Sequence, residues 1–121
     1  RDLESVCKVA VVQATPVMFQ KEKCVEKVLK LMEECAANGA QLIVFPELFI
    51  PGYPYGMTYG FTVGSRNQAG REDWKAYYDN SILAKGTEMQ QIIDCAKELG
   101  VYVSIGYSER DEVTATLYNS I

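Results

Sequence analysis

Two short apolar runs separated by an amphipathic segment of helical period restrict the folds open to this chain more than any other feature. The first, Val6 to Ala14 (VCKVAVVQA), is β-branched and almost continuously apolar, the pattern of a strand buried on both faces. Pro16 ends it. From about Phe19 to Asn38 the apolar residues Val25, Val28, Leu29, Met32 and Ala36 fall on one helical face, with lysines and glutamates opposite. Gly39 supplies the stop. Gln41 to Phe45 is then a second short buried strand. Strand, helix and strand in this order make a βαβ unit with parallel strands, so the fold class is α/β.

The pattern lapses from Pro46 to about Arg71 and resumes with Glu72 to Ile82 (EDWKAYYDNSI), a helix with Trp74, Tyr77 and Tyr78 on one side. Thr87 opens a stronger helix, with Gln90 at the capping-box position. Met89, Ile92, Ile93, Ala96 and Leu99 form its apolar stripe, and Gly100 closes it. Val101 to Ser108 reads as a third strand, Glu109 to Thr114 as a polar turn, and Ala115 to Ile121 as a fourth strand cut short. A chain that starts at Arg1 and stops within a strand is expected to be part of a longer one.

Composition removes several function classes. A net charge of -4 without a basic stripe excludes a nucleic-acid footprint. No apolar run reaches the length of a membrane span, and no signal peptide is visible. Glycines at 52, 56, 60 and 64 match a membrane-dimer spacing, but Pro54 interrupts them and no apolar 20-mer surrounds them. No phosphate-cradling glycine motif occurs. Histidine is absent, which removes histidine-based triads and histidine-ligated metals within this chain. Cys7, Cys24, Cys35 and Cys95 contain no C-x-x-C pair and read as free thiols of a reducing compartment. Each is expected to be a buried small hydrophobe.

Carboxylates are left as the acid–base candidates, and one stands out. Glu47 is the first charged residue after Leu42-Ile43-Val44-Phe45, at the end of a parallel strand where open α/β sheets bind ligands. A carboxylate held there, partly desolvated, suits general-base work. A surface carboxylate that begins a loop is the plainer alternative. Pro46 and Pro51 stiffen the strand exit, and Tyr53, Tyr55 and the nearby glycines would let an aromatic loop close over a small uncharged substrate. Tyr53 is the candidate pocket wall, with ordinary packing beneath a loop as its alternative.

The run LIVFPELFIPGYP, with VAVVQATP upstream and GAQ before the strand, resembles the first catalytic-glutamate motif of the nitrilase (carbon–nitrogen hydrolase) superfamily. YGMTYGFTVGSRNQAGRE, KGTEMQQIIDCAKELGVYVSIGYSERD and TLYN follow in the family's order, so the resemblance runs from about residue 6 to the end. The GYP-x-G segment and its aromatic loop point to the true nitrilase-like subgroup.

The resemblance implies the N-terminal part of a four-layer αββα sandwich, with residues 1–121 as a partial nitrilase-like domain. It implies a Glu–Lys–Cys triad in which Glu47 is the general base, with the lysine and the nucleophilic cysteine lying beyond residue 121. It further implies covalent hydrolysis of a small nitrile to a carboxylic acid and ammonia with no metal or other cofactor. A cytoplasmic homo-oligomer is the expected setting, without nucleic acid or membrane. Two rival readings stand beside it: an amidase or carbamoylase with the same triad, and a non-catalytic remnant.

Overall fold

The computed structural model describes residues 6–57 and 67–121. Within them the order is β1 (Val9–Val11), α1 (Lys21–Ala37), β2 (Leu42–Val44), α2 (Gln68–Asn80), α3 (Thr87–Leu99), β3 (Tyr102–Ser104), β4 (Tyr107–Arg110) and β5 (Leu117–Ser120). The first three strands form a parallel sheet in sequence order, with Ala10, Ile43 and Val103 in register across it. The βαβ expectation is met, and the chain is α/β.

Helices α1 and α3 cover one face of this sheet. Cys24, Val25, Val28 and Met32 of α1 and Ile92 of α3 join Ile43 in a single apolar cluster, in which Ile43 is 0% exposed. The 3.6-residue period of both stripes supplies this packing directly. Among the described residues nothing covers the other face of the sheet, and Val9, Val11 and Tyr102 are exposed. The expected burial of the first strand on both faces therefore does not hold in this chain. Its apolar residues alternate, with Ala10 and Val12 toward the helices and Val9 and Val11 toward water, and the strand lies at the sheet edge.

The helix ends depart from expectation in instructive ways. The Lys21 N–H at the start of α1 donates to Asn80 Oδ1 at the end of α2 (3.2 Å), so a distant residue caps the helix. Helix α2 begins earlier than its aromatic pattern suggests, because the Asn67 side chain accepts from the Gly70 N–H at 2.6 Å. The expected Thr87–Gln90 capping box is not formed. Gly86 is the N-cap, Thr87 bonds Glu88, and the Gln90 side chain donates to Asp94.

Val101 to Ser108 is two strands rather than one. The ladder with β2 ends at Ser104, Ile105 and Gly106 lie between the strands, and β4 continues as one half of an antiparallel pair with β5. Asp111 shapes the connecting turn by accepting from the Val113 and Thr114 N–H groups. Those same bonds hold its carboxyl below the usual aspartate range.

Candidate active site

Glu47 stands beyond the carboxyl end of β2, and its surroundings explain why the chain can hold a charge there. The ladder runs one residue past β2, with the Phe45 N–H on Ser104 O at 2.8 Å. Pro46 has no N–H to extend it. The chain then turns through Glu47 and Leu48, whose φ of 46° lies in the left-handed region. It is caught again where the Phe49 N–H donates to Gly106 O (2.8 Å) and Ile50 bridges Tyr107 in parallel. Phe45 and Phe49, buried with ring centroids 5.5 Å apart, anchor the turn from the core side.

Two glycines permit this geometry. A Cβ on Gly106 would lie 2.6 Å from Glu47 Cα and 2.7 Å from Leu48 N, a contact with backbone that no rotamer can relieve. Gly52 has a φ of 114°, and a Cβ there would meet Met18 Sδ at 2.3 Å. The turn carrying Glu47 is thus pressed directly onto the backbone that links β3 to β4.

The Glu47 carboxylate has a specific partner. Asn119 Nδ2, on β5, donates to Glu47 Oε1 at 2.6 Å across a sequence separation of 72 residues. The expected partial desolvation is not seen: Glu47 is exposed, because it projects from the turn at the open end of the sheet. Next to it a cavity of about 210 Å³ is lined by Leu48, Pro54, Trp74, Tyr77, Tyr118 and Asn119 among others. Ser108, which also lines the cavity, is buried and joined to buried Ser81 by a 2.8 Å hydroxyl–hydroxyl bond. Burial pushes the Tyr77 phenol up, and a hydrogen bond with Ser108 opposes the rise.

Tyr53, the candidate pocket wall, is 51% exposed and does not line that cavity; Pro54, its neighbour, does. Residues 58–66, which carry part of the expected aromatic loop and the glycines at 60 and 64, lie outside the described residues. A second cleft of about 270 Å³ runs along β1 and the end of α1, away from Glu47.

The cysteines do not approach Glu47 as nucleophiles. Cys7 precedes β1, Cys35 ends α1 and Cys95 lies late in α3, which places all three toward the opposite end of the parallel sheet. Cys24 is buried, with its thiol donating to Val17 O at 3.1 Å. Burial pushes the Cys24, Cys35 and Cys95 thiols up, and neighbouring glutamates add to this at Cys35 and Cys95. A raised thiol is a poor source of thiolate. The expectation of four buried cysteines holds for Cys24 alone: Cys35 and Cys95 are half-buried, and Cys7 is exposed because it sits just outside the edge strand. Among the described residues no three His, Cys, Asp or Glu side chains group as a metal site, and no helix is long and apolar enough to cross a membrane.

Gly106 and Asn119 escaped the sequence reading, although both lie in runs that carry the family resemblance. A lone glycine within a strand pattern marks a close backbone approach. Asparagine is depleted in strands, so one near the middle of a strand signals a task other than pairing.

Comparison with known proteins shows the family to which the chain belongs. The carbon–nitrogen hydrolase family model matches residues 8–121. An aliphatic nitrilase of Sinorhizobium fredii is 42% identical over 111 residues, covering 92% of this chain and 35% of the relative. A bifunctional nitrilase/nitrile hydratase of Nicotiana tabacum is 37% identical over 107 residues, covering 88% of this chain and 31% of the relative. Nitrilase 2 of Arabidopsis thaliana is 34% identical over 110 residues, covering 91% and 32%. The chain thus spans about a third of the length of the curated relatives it matches.

Proposed function

The chain belongs to the carbon–nitrogen hydrolase family, and from that premise we propose that the whole protein is a nitrilase in which Glu47 is the general base. The observation that carries this reading is the placement of Glu47. It lies beyond the carboxyl end of a core strand, on a turn locked to Gly106, with its carboxylate bonded to Asn119 and an apolar cavity alongside. A base needs fixed geometry more than burial, and this turn supplies it.

In the proposed reaction Glu47 takes the proton of a cysteine thiol contributed from outside residues 1–121. The sulfur bonds to the nitrile carbon, the nitrogen is protonated, and a thioimidate results. Glu47 then takes a proton from water as its oxygen adds to that carbon. The carbon–nitrogen bond breaks, ammonia leaves, and a thioester remains. A second water, activated in the same way, releases the carboxylic acid and restores the thiol. A lysine, also from outside these residues, would stabilise the charge that develops on nitrogen and oxygen. Two waters are consumed for each nitrile.

The resemblance also supports a homo-oligomer. The unpaired cysteines suit a reducing compartment such as the cytoplasm. To test the activity, the whole protein is incubated with aliphatic and aromatic nitriles and with the corresponding amides. Ammonia, carboxylic acid and amide are then quantified. Ammonia and acid from nitriles are expected. Turnover of amides alone would assign the protein to the amidase branch instead. The tobacco relative's name includes nitrile hydratase, which is why amide is measured as a product.

A further inference from the structure

Glu47 has a fixed backbone and an exposed head. Gly106 and the bonds of Phe49 and Ile50 hold its Cα, but its side chain is exposed, so packing does not select one rotamer. A glutamate carries three rotatable bonds, and a base whose oxygen wanders by an ångström loses much of its value. Among the described residues, the hydrogen bond that holds the carboxylate comes from Asn119.

Asn119 is itself rigidly mounted. It pairs with Ser108 in the β4–β5 ladder. Ser108 is buried, its hydroxyl is bonded to Ser81, and its N–H donates to Ile50 O at 2.8 Å. Strand β4 therefore anchors both ends of the contact: Ile50, which closes the Glu47 turn, and Asn119, which reaches the Glu47 head. An ionised carboxylate can only accept, so the amide nitrogen, not its oxygen, faces Oε1. A neutral amide also orients the carboxylate without supplying a counter-charge.

We propose that Asn119 is a positioning residue for Glu47, its Nδ2–H holding Oε1 so that Oε2 is presented to the proton it removes. This inference rests on the reading of Glu47 as general base.

The test uses the whole protein with Asn119→Ala and Asn119→Asp, measured for kcat, KM and thermal stability beside Glu47→Gln. Asn119→Asp keeps the shape, removes the donor and sets acceptor against acceptor, and the thermal melt shows whether it folds. Both Asn119 variants should lose about 10- to 100-fold in kcat. KM should change less than about threefold and Tm by only a few degrees, with Asn119→Asp the more impaired. A merely structural residue would move Tm rather than kcat. Unchanged kcat in a folded Asn119→Asp protein, or a rise in KM alone, overturns the role of Asn119 while Glu47→Gln remains inactive. Full turnover by Glu47→Gln overturns instead the reading on which this one rests.

Discussion

The core beneath the parallel sheet and the corner that carries Glu47 are built on opposite plans. The core is periodic and closed. Ile43, Val28 and Met32 come from β2 and the helix before it, each 0% exposed, and repetitive apolar spacing is enough to bring them together. The corner is non-local and open: its parts are a turn after β2, the β3–β4 link, and one side chain from β5, joined by backbone approach and hydrogen bonds. Burial gives the core its stability, whereas the corner, anchored from below by buried Phe49, Ile50 and Ser108, leaves its carboxylate exposed, so a charge can remain accessible to a substrate. Substitutions in the two regions should therefore separate stability from chemistry.

The largest effect is expected from separating both regions from the rest of the protein. The 121-residue chain by itself should release no ammonia from nitriles and should scatter light as an aggregate. Among the described residues the outer sheet face is open (Val11 is 77% exposed) and the β1 edge is unpaired, and such surfaces favour aggregation. Sustained turnover by a clean monomer would break the comparison outright. Next is Gly106→Ala, which touches both regions because it forces the Glu47 turn off the β3–β4 link. In the whole protein kcat should fall about 100-fold or more, with a measurable loss of Tm. Steady-state kinetics and a thermal melt on one preparation would show it.

Ile43→Ala sharpens the contrast from the other side. Truncating the fully buried centre of the sheet should cost about 2–5 kcal/mol in urea unfolding, with kcat little changed well below the midpoint. The smallest effect on chemistry is expected from replacing Cys7, Cys24, Cys35 and Cys95 together by Ala or Ser. Stability should drop, chiefly through buried Cys24. The covalent substrate adduct, followed by mass spectrometry, should still form.

The two plans also explain what could be read from the chain before its structure. Periodic features were legible: α1 and α3, the parallel pairing of β1 and β2, and Glu47 at a strand end all follow from local spacing. What failed depends on neighbours distant in sequence. Val9 and Val11 have the composition of a strand covered on both sides, yet nothing in residues 6–57 and 67–121 covers their outer face. The apparent single strand from Val101 to Ser108 is interrupted at Ile105 and Gly106, where the backbone presses on the Glu47 turn, a neighbour some sixty residues earlier. Asn119 sat within a run that bears the family resemblance, but its role required knowing that β5 returns beside β4. Non-local geometry leaves only indirect traces in sequence, such as a glycine or an asparagine where a strand would favour neither.

The central claim is that the turn after β2 holds a base rather than a surface charge, and Glu47→Gln in the whole protein tests it most directly. The substitution preserves size and removes basicity. It should lower kcat on a nitrile substrate by at least the roughly 10²–10⁴-fold typical of a positioned general base, with the melt unchanged within a few degrees. A folded variant turning over at the wild-type rate would contradict the account.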